Sequence, residues 1–204
     1  KKKLDQFFRV NGHFVIPLLA NLSRSSKILD YIELLLGPNI LVWSVELFIK
    51  EPGSSNIVSW HQDLTYWGMG ETDKEVTAWI ALSNVNIESG CMRFIPKSHN
   101  KKILKHEDTF DKDNLLSRGQ EIKGINEEDA IHAPLIPGEM SLHHGKCLHA
   151  SGMNNSKDRR IGLAIRYVTP DVRNKENGHD FAMLVRGFDD RGGWFNFAGP
   201  RGCL

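Results

Sequence analysis

The chain has 204 residues, 40% hydrophobic and 25% charged, with a net charge of +1 at pH 7. That composition belongs to an ordinary globular protein of one domain, and the small net charge gives no electrostatic case for nucleic acid or an anionic membrane as partner. Three cysteines, Cys91, Cys147 and Cys203, are too few and too scattered for a zinc knuckle or a secreted disulfide framework, so a reducing cytoplasm is the simplest compartment. Lys1-Lys2-Lys3 leads directly into a helical pattern without an initiator Met, with no signal-peptide or membrane-spanning run, and reads as the start of a chain lacking its N-terminal segment. Residues 1–36 carry helical periodicity, with Leu18, Leu19 and Leu22 followed by Ile28, Leu29, Ile32, Leu35 and Leu36. Gly37-Pro38 stops it.

From residue 40 the pattern changes to short apolar strands between turns. Strands are expected at Ile40–Lys50, Ile57–Asp63, Val76–Leu82, Cys91–Ile95, Ala133–Leu135, Met140–His144, Cys147–Ala150 and Ile161–Val168. Residues 97–129 are polar and read as a long excursion with some helix, outside the core; loops this long are usually functional. The tail, 171–204, carries no assignable pattern. Helices come before the strands rather than between them, which argues for an antiparallel sandwich or barrel and against a doubly wound sheet.

The chemistry centres on Trp60-His61-Gln62-Asp63. On a strand, residues i and i+2 face the same way, so the His61 imidazole and the Asp63 carboxylate project side by side. A second histidine would complete a 2-His-1-carboxylate triad, which leaves positions open on a non-haem Fe(II). The downstream candidates are His143, His144 and His149. His149 has the most informative surroundings: Ser151 shares its strand face, and after a turn Arg159-Arg160 lead into a strand. One face of that strand carries Ile161, Leu163 and Ile165, and the other Gly162, Ala164 and Arg166. Arg160 belongs to the small-residue face and is expected inside; Arg159 is expected at the exposed strand end. A buried arginine beside a metal can pair with the far carboxylate of a chelating ligand such as 2-oxoglutarate; the structural alternative is an internal ion pair. Strand packing or hydrogen bonding is the expectation for His143 and His144.

WHQDLTYW, TAWIALSNVNIESGCMRFIPKSH and PGEMSLHHGKCLHASGMNNSKDRRIGLAIRYV resemble the phytanoyl-CoA dioxygenase (PhyH-like) family of Fe(II)/2-oxoglutarate oxygenases over roughly residues 40–170. The resemblance implies a mainly β fold with flanking helices, a double-stranded β-helix (jelly roll, cupin-like), in a single domain over 1–204. It implies that His61, Asp63 and His149 are the iron ligands and that Arg160 and Ser151 bind the far carboxylate of 2-oxoglutarate. Trp79 matches an aromatic residue lining the cosubstrate site in some members, with core packing as its alternative. Related ectoine hydroxylases place substrate contacts around the His-x-Asp motif, where this chain offers Ser44, Glu46 and Trp67. Glu46 interrupts an apolar strand; it binds a cationic substrate group or pairs with Lys50 or Arg166.

The implied activity is hydroxylation of an unactivated carbon of a small organic molecule, with O2 consumed and succinate and CO2 released. Halogenating relatives have a small residue where this chain has Asp63, so hydroxylation, desaturation or ring closure is favoured. No basic cluster suits the phosphates of an acyl-CoA, and a small polar metabolite is the expected substrate, in a monomer or homodimer. The rival reading is a cupin-like metal protein without oxygenase activity, an isomerase or a sensor, which would have no use for Arg160 with Ser151.

Overall fold

The computed structural model describes residues 9–175 and 180–200; Lys1-Lys2-Lys3, the remainder of the expected helical start to residue 8, and Cys203 lie outside them. The fold is mainly β, of jelly-roll type, with helices before the strands. It comprises α1 (Pro17–Ser23), α2 (Ser26–Leu36), β1 (Ile40–Lys50), β2 (Val58–His61), β3 (Glu75–Ala81), β4 (Met92–Phe94), β5 (Ile131–Ala133), β6 (Met140–His143), β7 (His149–Ser151), β8 (Arg160–Val168), β9 (Asp180–Arg186) and β10 (Trp194–Asn196). One sheet has the order β10-β9-β1-β8-β3-β6 and the other β2-β7-β4-β5. The chain forms two compact units, Lys1–Leu47 with Gly68–Trp79 and Leu163–Leu204, and Phe48–Trp67 with Ile80–Gly162. Among the described residues no helix is long and apolar enough to cross a membrane.

In the first unit, Pro17 opens α1, where its missing N–H costs nothing. Gly37, at φ 83°, ends α2 in a conformation that side chains disfavour. The helices bury Leu19, Ile28, Leu29 and Ile32, whereas Leu18 and Leu35 are exposed, so the apolar stripe is narrower than the periodicity suggests. On β8, Leu163, Ile165 and Tyr167 are fully buried, and the Tyr167 hydroxyl donates to Ser23 O at the end of α1 (3.1 Å). The unassigned tail supplies two strands: β9 pairs antiparallel with β1 and parallel with β10. Arg186 at the end of β9 binds Glu33 and Asp30 of α2 (2.5 and 2.7 Å).

In the second unit, β2 and β7 pair antiparallel with a register shift between Val58 and His61, and β7 pairs in turn with β4. Two expectations need correction here. β2 ends at His61, and Asp63 opens a 3-10 turn, Asp63–Thr65, instead of continuing the strand. Residues 97–129 contain two single 3-10 turns among irregular, mostly exposed backbone, but a few of them reach the core. Ile122 packs with Trp60, Leu148 and Ala150, and Asn114 and Gln120 are also buried. The Ile122 N–H donates to Trp60 O (2.8 Å), and the Ser59 hydroxyl donates to Gln120 O. Polar composition hid this role because the segment is anchored chiefly by backbone hydrogen bonds, which any sequence can make.

Ile122→Ala should therefore cost about 2–4 kcal/mol, the usual range for emptying a buried aliphatic site, whereas Lys112→Ala in the same segment should change stability by less than about 0.5 kcal/mol; chemical denaturation measures both. His13, fully buried in the first unit with neither ring nitrogen hydrogen-bonded, is pushed from 6.5 to about 4 by burial and then by the Arg24 charge. The unfolded chain thus binds more protons at His13 than the folded one below about pH 6.5, and stability falls as pH drops from 6.5 towards 4. Lowering the pH from 7.5 to 5 should cost about 2 kcal/mol through this residue, and His13→Leu should flatten that part of the stability profile.

Candidate metal centre

The pairing of β2 with β7 sets His61 directly opposite His149. Cross-strand partners share a face with their Cβ atoms about 5 Å apart, and the two imidazole centroids lie 4.1 Å apart. Each ring is oriented by its own strand. His61 Nδ1 lies 2.8 Å from Ser59 O and His149 Nδ1 lies 2.9 Å from Cys147 O. A carbonyl only accepts, so both Nδ1 atoms carry the proton and both Nε2 atoms present a lone pair, the tautomer a metal requires. Asp63 faces them from the 3-10 turn, with Oδ1 3.4 Å from His61 Nε2 and Oδ2 3.9 Å from His149 Nε2. One ligand atom from each residue fits within 4.8 Å, and all three residues are buried. Burial, chiefly, holds the His149 pKa well below 6.5, so a proton does not compete for its Nε2 near neutral pH. Two imidazole nitrogens and one carboxylate suit Fe(II).

Gln62, between the first two ligands, points the other way and is clamped. Its Oε1 accepts from Leu104 N (2.8 Å), its Nε2 donates to Lys146 O (2.8 Å), and its backbone N–H donates to His106 Nε2 (3.0 Å). Trp60 Nε1 donates to Glu127 Oε1 (3.1 Å), and Arg93 lies over its ring. The segment 97–129 thus braces the motif from behind.

Arg160 and Ser151 come together in the same unit. Arg160 is 1% exposed; its Nη2 donates to Ser151 Oγ and to Gly90 O, both at 3.2 Å. Arg159 pairs in the open with Glu51 (2.9 Å), so the two arginines divide as their strand faces dictate. The turn between Ser151 and Arg160 is organised by buried Asn154, which donates to Lys50 O and Asp158 O (3.0 and 2.8 Å). Gly90, at φ 74°, has no room for a side chain: a Cβ there would meet Gly152 O at 2.3 Å.

Trp67 is buried in the second unit. Ser44, Glu46 and Trp79 are buried or largely so in the first. The Ser44 hydroxyl donates to Asn11 Oδ1 (2.9 Å), and Glu46 pairs with Arg166 and with Arg9, each at 3.0 Å. Two further residues stand at the centre, where the sequence reading did not assign them. Lys50 is fully buried, with Nζ on Ser151 Oγ (2.8 Å). His143, expected as packing or hydrogen bonding, has its ring 4.7 Å from that of His149 and its Nε2 3.9 Å from Asp63 Oδ2. The sequence presents Lys50 as an alternative partner for Glu46, and His143 as one of three candidates for the second histidine. His144 lies just past the end of β6, and its Nδ1 accepts from Lys146 N (2.9 Å).

The arrangement has relatives. A probable alpha-ketoglutarate-dependent hypophosphite dioxygenase of Stutzerimonas stutzeri is 31% identical over 79% of this chain and 57% of its own length. The chain spans about half the length of other curated relatives that it matches. The solved structure of a non-heme monooxygenase, ThoJ, is 34% identical with a TM-score of 0.86, over 98% of this chain and 73% of that one. The non-heme alpha ketoglutarate dependent epimerase SnoN shares the fold at 24% identity, with a TM-score of 0.62 over 79% of this chain and 61% of its own. The phytanoyl-CoA dioxygenase (PhyH) family pattern matches residues 9–162, and with the buried His-Asp-His cluster inside that span the chain belongs to this family.

Proposed function

We propose that the chain is an Fe(II)- and 2-oxoglutarate-dependent dioxygenase that hydroxylates an unactivated carbon of a small polar substrate. The observation that carries this reading is the pair of imidazoles, His61 and His149, locked with Nε2 towards the Asp63 carboxylate, together with a buried arginine held against Ser151. Bound iron with 2-oxoglutarate and O2 would supply the oxidising power and leave succinate and CO2. The chain's own residues do the rest. His61 and His149 would supply nitrogen ligands through Nε2 and Asp63 a carboxylate, the residue that favours hydroxylation over halogenation. Arg160 and Ser151 hold the far carboxylate of the cosubstrate, and the cosubstrate role of Trp79 rests on the family resemblance. Burial of every ligand keeps bulk water from the reacting centre. Ser44, Glu46 and Trp67 are the proposed substrate contacts, with Glu46 acting alongside the arginines that already neutralise it. Buried Cys91 and Cys147, both free thiols, suit a reducing compartment.

A cupin-like isomerase or sensor would share the metal ligands but gives no reason to bury Arg160. The fold shared with an epimerase motivates one further reading, stereochemical inversion at the same centre. Oxygen from 18O2 appears in the main product if the reaction is hydroxylation, and does not if it is inversion or ring closure.

Anaerobic titration of the Fe(II)-loaded protein with 2-oxoglutarate should develop a weak metal-to-ligand band in the visible; protein that binds metal without giving this band would sink the dioxygenase reading. Arg160→Ala should weaken 2-oxoglutarate binding by about 100-fold, since it removes a buried charge-assisted contact, whereas Arg159→Ala should change it by no more than about twofold. Equal losses would mean the wrong arginine has been assigned.

A further inference from the structure

Lys50 closes β1 and is fully buried. Its Nζ donates to Ser151 Oγ (2.8 Å), Ser151 O (3.3 Å) and the Gly152 carbonyl, so three N–H donors meet three uncharged oxygens. Among the described residues no carboxylate pairs with it. Burial, then the Arg160 and Arg93 charges, push its pKa down to about 6, with Cys91 as the smallest effect and the one opposed. A lysine so placed gives up its proton readily, and an anion bound between it and the Arg160 guanidinium would hold it as the ammonium.

Ser151 shows where such an anion would sit. A hydroxyl has one proton and two lone pairs. Both lone pairs of Ser151 Oγ are engaged, by Lys50 Nζ at 2.8 Å and Arg160 Nη2 at 3.2 Å. With Lys50 protonated, neither partner has a lone pair to offer, so neither bond can reverse. A bound anion that keeps Lys50 protonated therefore frees the Ser151 proton for that anion, and none of the described residues accepts that proton. At 1% exposure the hydroxyl is also shut off from bulk solvent.

We propose that Lys50 is a positioning residue of the cosubstrate site: it holds Ser151 as an obligate hydrogen-bond donor and adds a second positive charge to Arg160, so the site selects 2-oxo acids with a carboxylate tail over those with an uncharged one. This rests on the assignment of Arg160 and Ser151 to the cosubstrate tail made above.

Lys50→Met keeps the length and apolar stem of the side chain and removes the charge. Its test is anaerobic binding to the Fe(II)-loaded full chain, read by calorimetry and the visible band, with 2-oxoglutarate and with 2-oxopentanoate, which ends in a methyl group. Lys50→Met should weaken 2-oxoglutarate about tenfold or more and leave 2-oxopentanoate within about twofold. Ser151→Ala should cost about tenfold in the wild type but no more than about twofold in the Lys50→Met background, because the two act through one hydrogen bond. Losses that are additive, or equal for both ligands, would assign Lys50 to packing and overturn the proposal. If Lys50→Met does not fold, two other variants decide. Lys50→Arg should retain the preference for 2-oxoglutarate, and Ser151→Ala alone should weaken 2-oxoglutarate while sparing 2-oxopentanoate; failure of either overturns it. A wild type that binds no 2-oxoglutarate would instead remove the dioxygenase reading itself, whereas a wild type that binds it and a Lys50→Met variant that binds it equally well would remove only the role of Lys50.

Discussion

The centre depends on one backbone event, the antiparallel pairing of β2 with β7. Its register puts His61 opposite His149, residues far apart in the chain whose rings end 4.1 Å apart. The backbone also chooses the tautomer of both rings, because each Nδ1 faces a carbonyl two residues back along its own chain. Ladder hydrogen bonds form whatever the side chains are, so the metal geometry is inherited from the sheet rather than assembled from flexible parts. The register shift in β2 lies just before His61, the kind of irregularity that re-aims a side chain at a functional site. The strand then stops, and Asp63 reaches the same point from a 3-10 turn.

Everything around that pairing holds it rigid. Gln62 is fixed through main-chain groups of Leu104 and Lys146, and Trp60 sits in an apolar cluster completed by Ile122. A polar segment that looks like a surface loop is thus the back wall of the motif. The charge balance is uneven by contrast. Glu46 in the first unit is met by two arginines, and Arg159 is met in the open by Glu51. Lys50, buried beside Arg160, has only uncharged oxygens. Burial of charge without a counter-charge is tolerated where a ligand is to supply it.

Much of the architecture was legible in the sequence. The helices within residues 17–36, the order of the strands from Ile40 to Val168, and the division of Arg159 from Arg160 all follow from local periodicity, which reports which face of an element is apolar. Residues 9–16, by contrast, hold no helix beyond a 3-10 turn, Gly12–Phe14, where helix was expected. The tail was opaque because β9 and β10 are short strands whose partners, β1 and each other, lie elsewhere in the chain or across irregular backbone. The role of residues 97–129 was opaque because backbone hydrogen bonds leave no mark on composition. The place of Lys50 beside Ser151, rather than beside Glu46, was opaque for a related reason: the turn organised by Asn154 brings together segments far apart in the chain.

By itself, then, the sequence determined the types and spacing of the chemical groups: an imidazole and a carboxylate one residue apart, a second imidazole followed by a hydroxyl on the same face, and an arginine on the small-residue side of the next strand. Those are short-range properties, set by the period of two along a strand. The tertiary structure alone decided that the histidines are cross-strand partners, that His143 and Lys50 join the centre, and that a polar loop supports it. Register and burial come from contacts between distant segments, and neither can be read from any one segment alone.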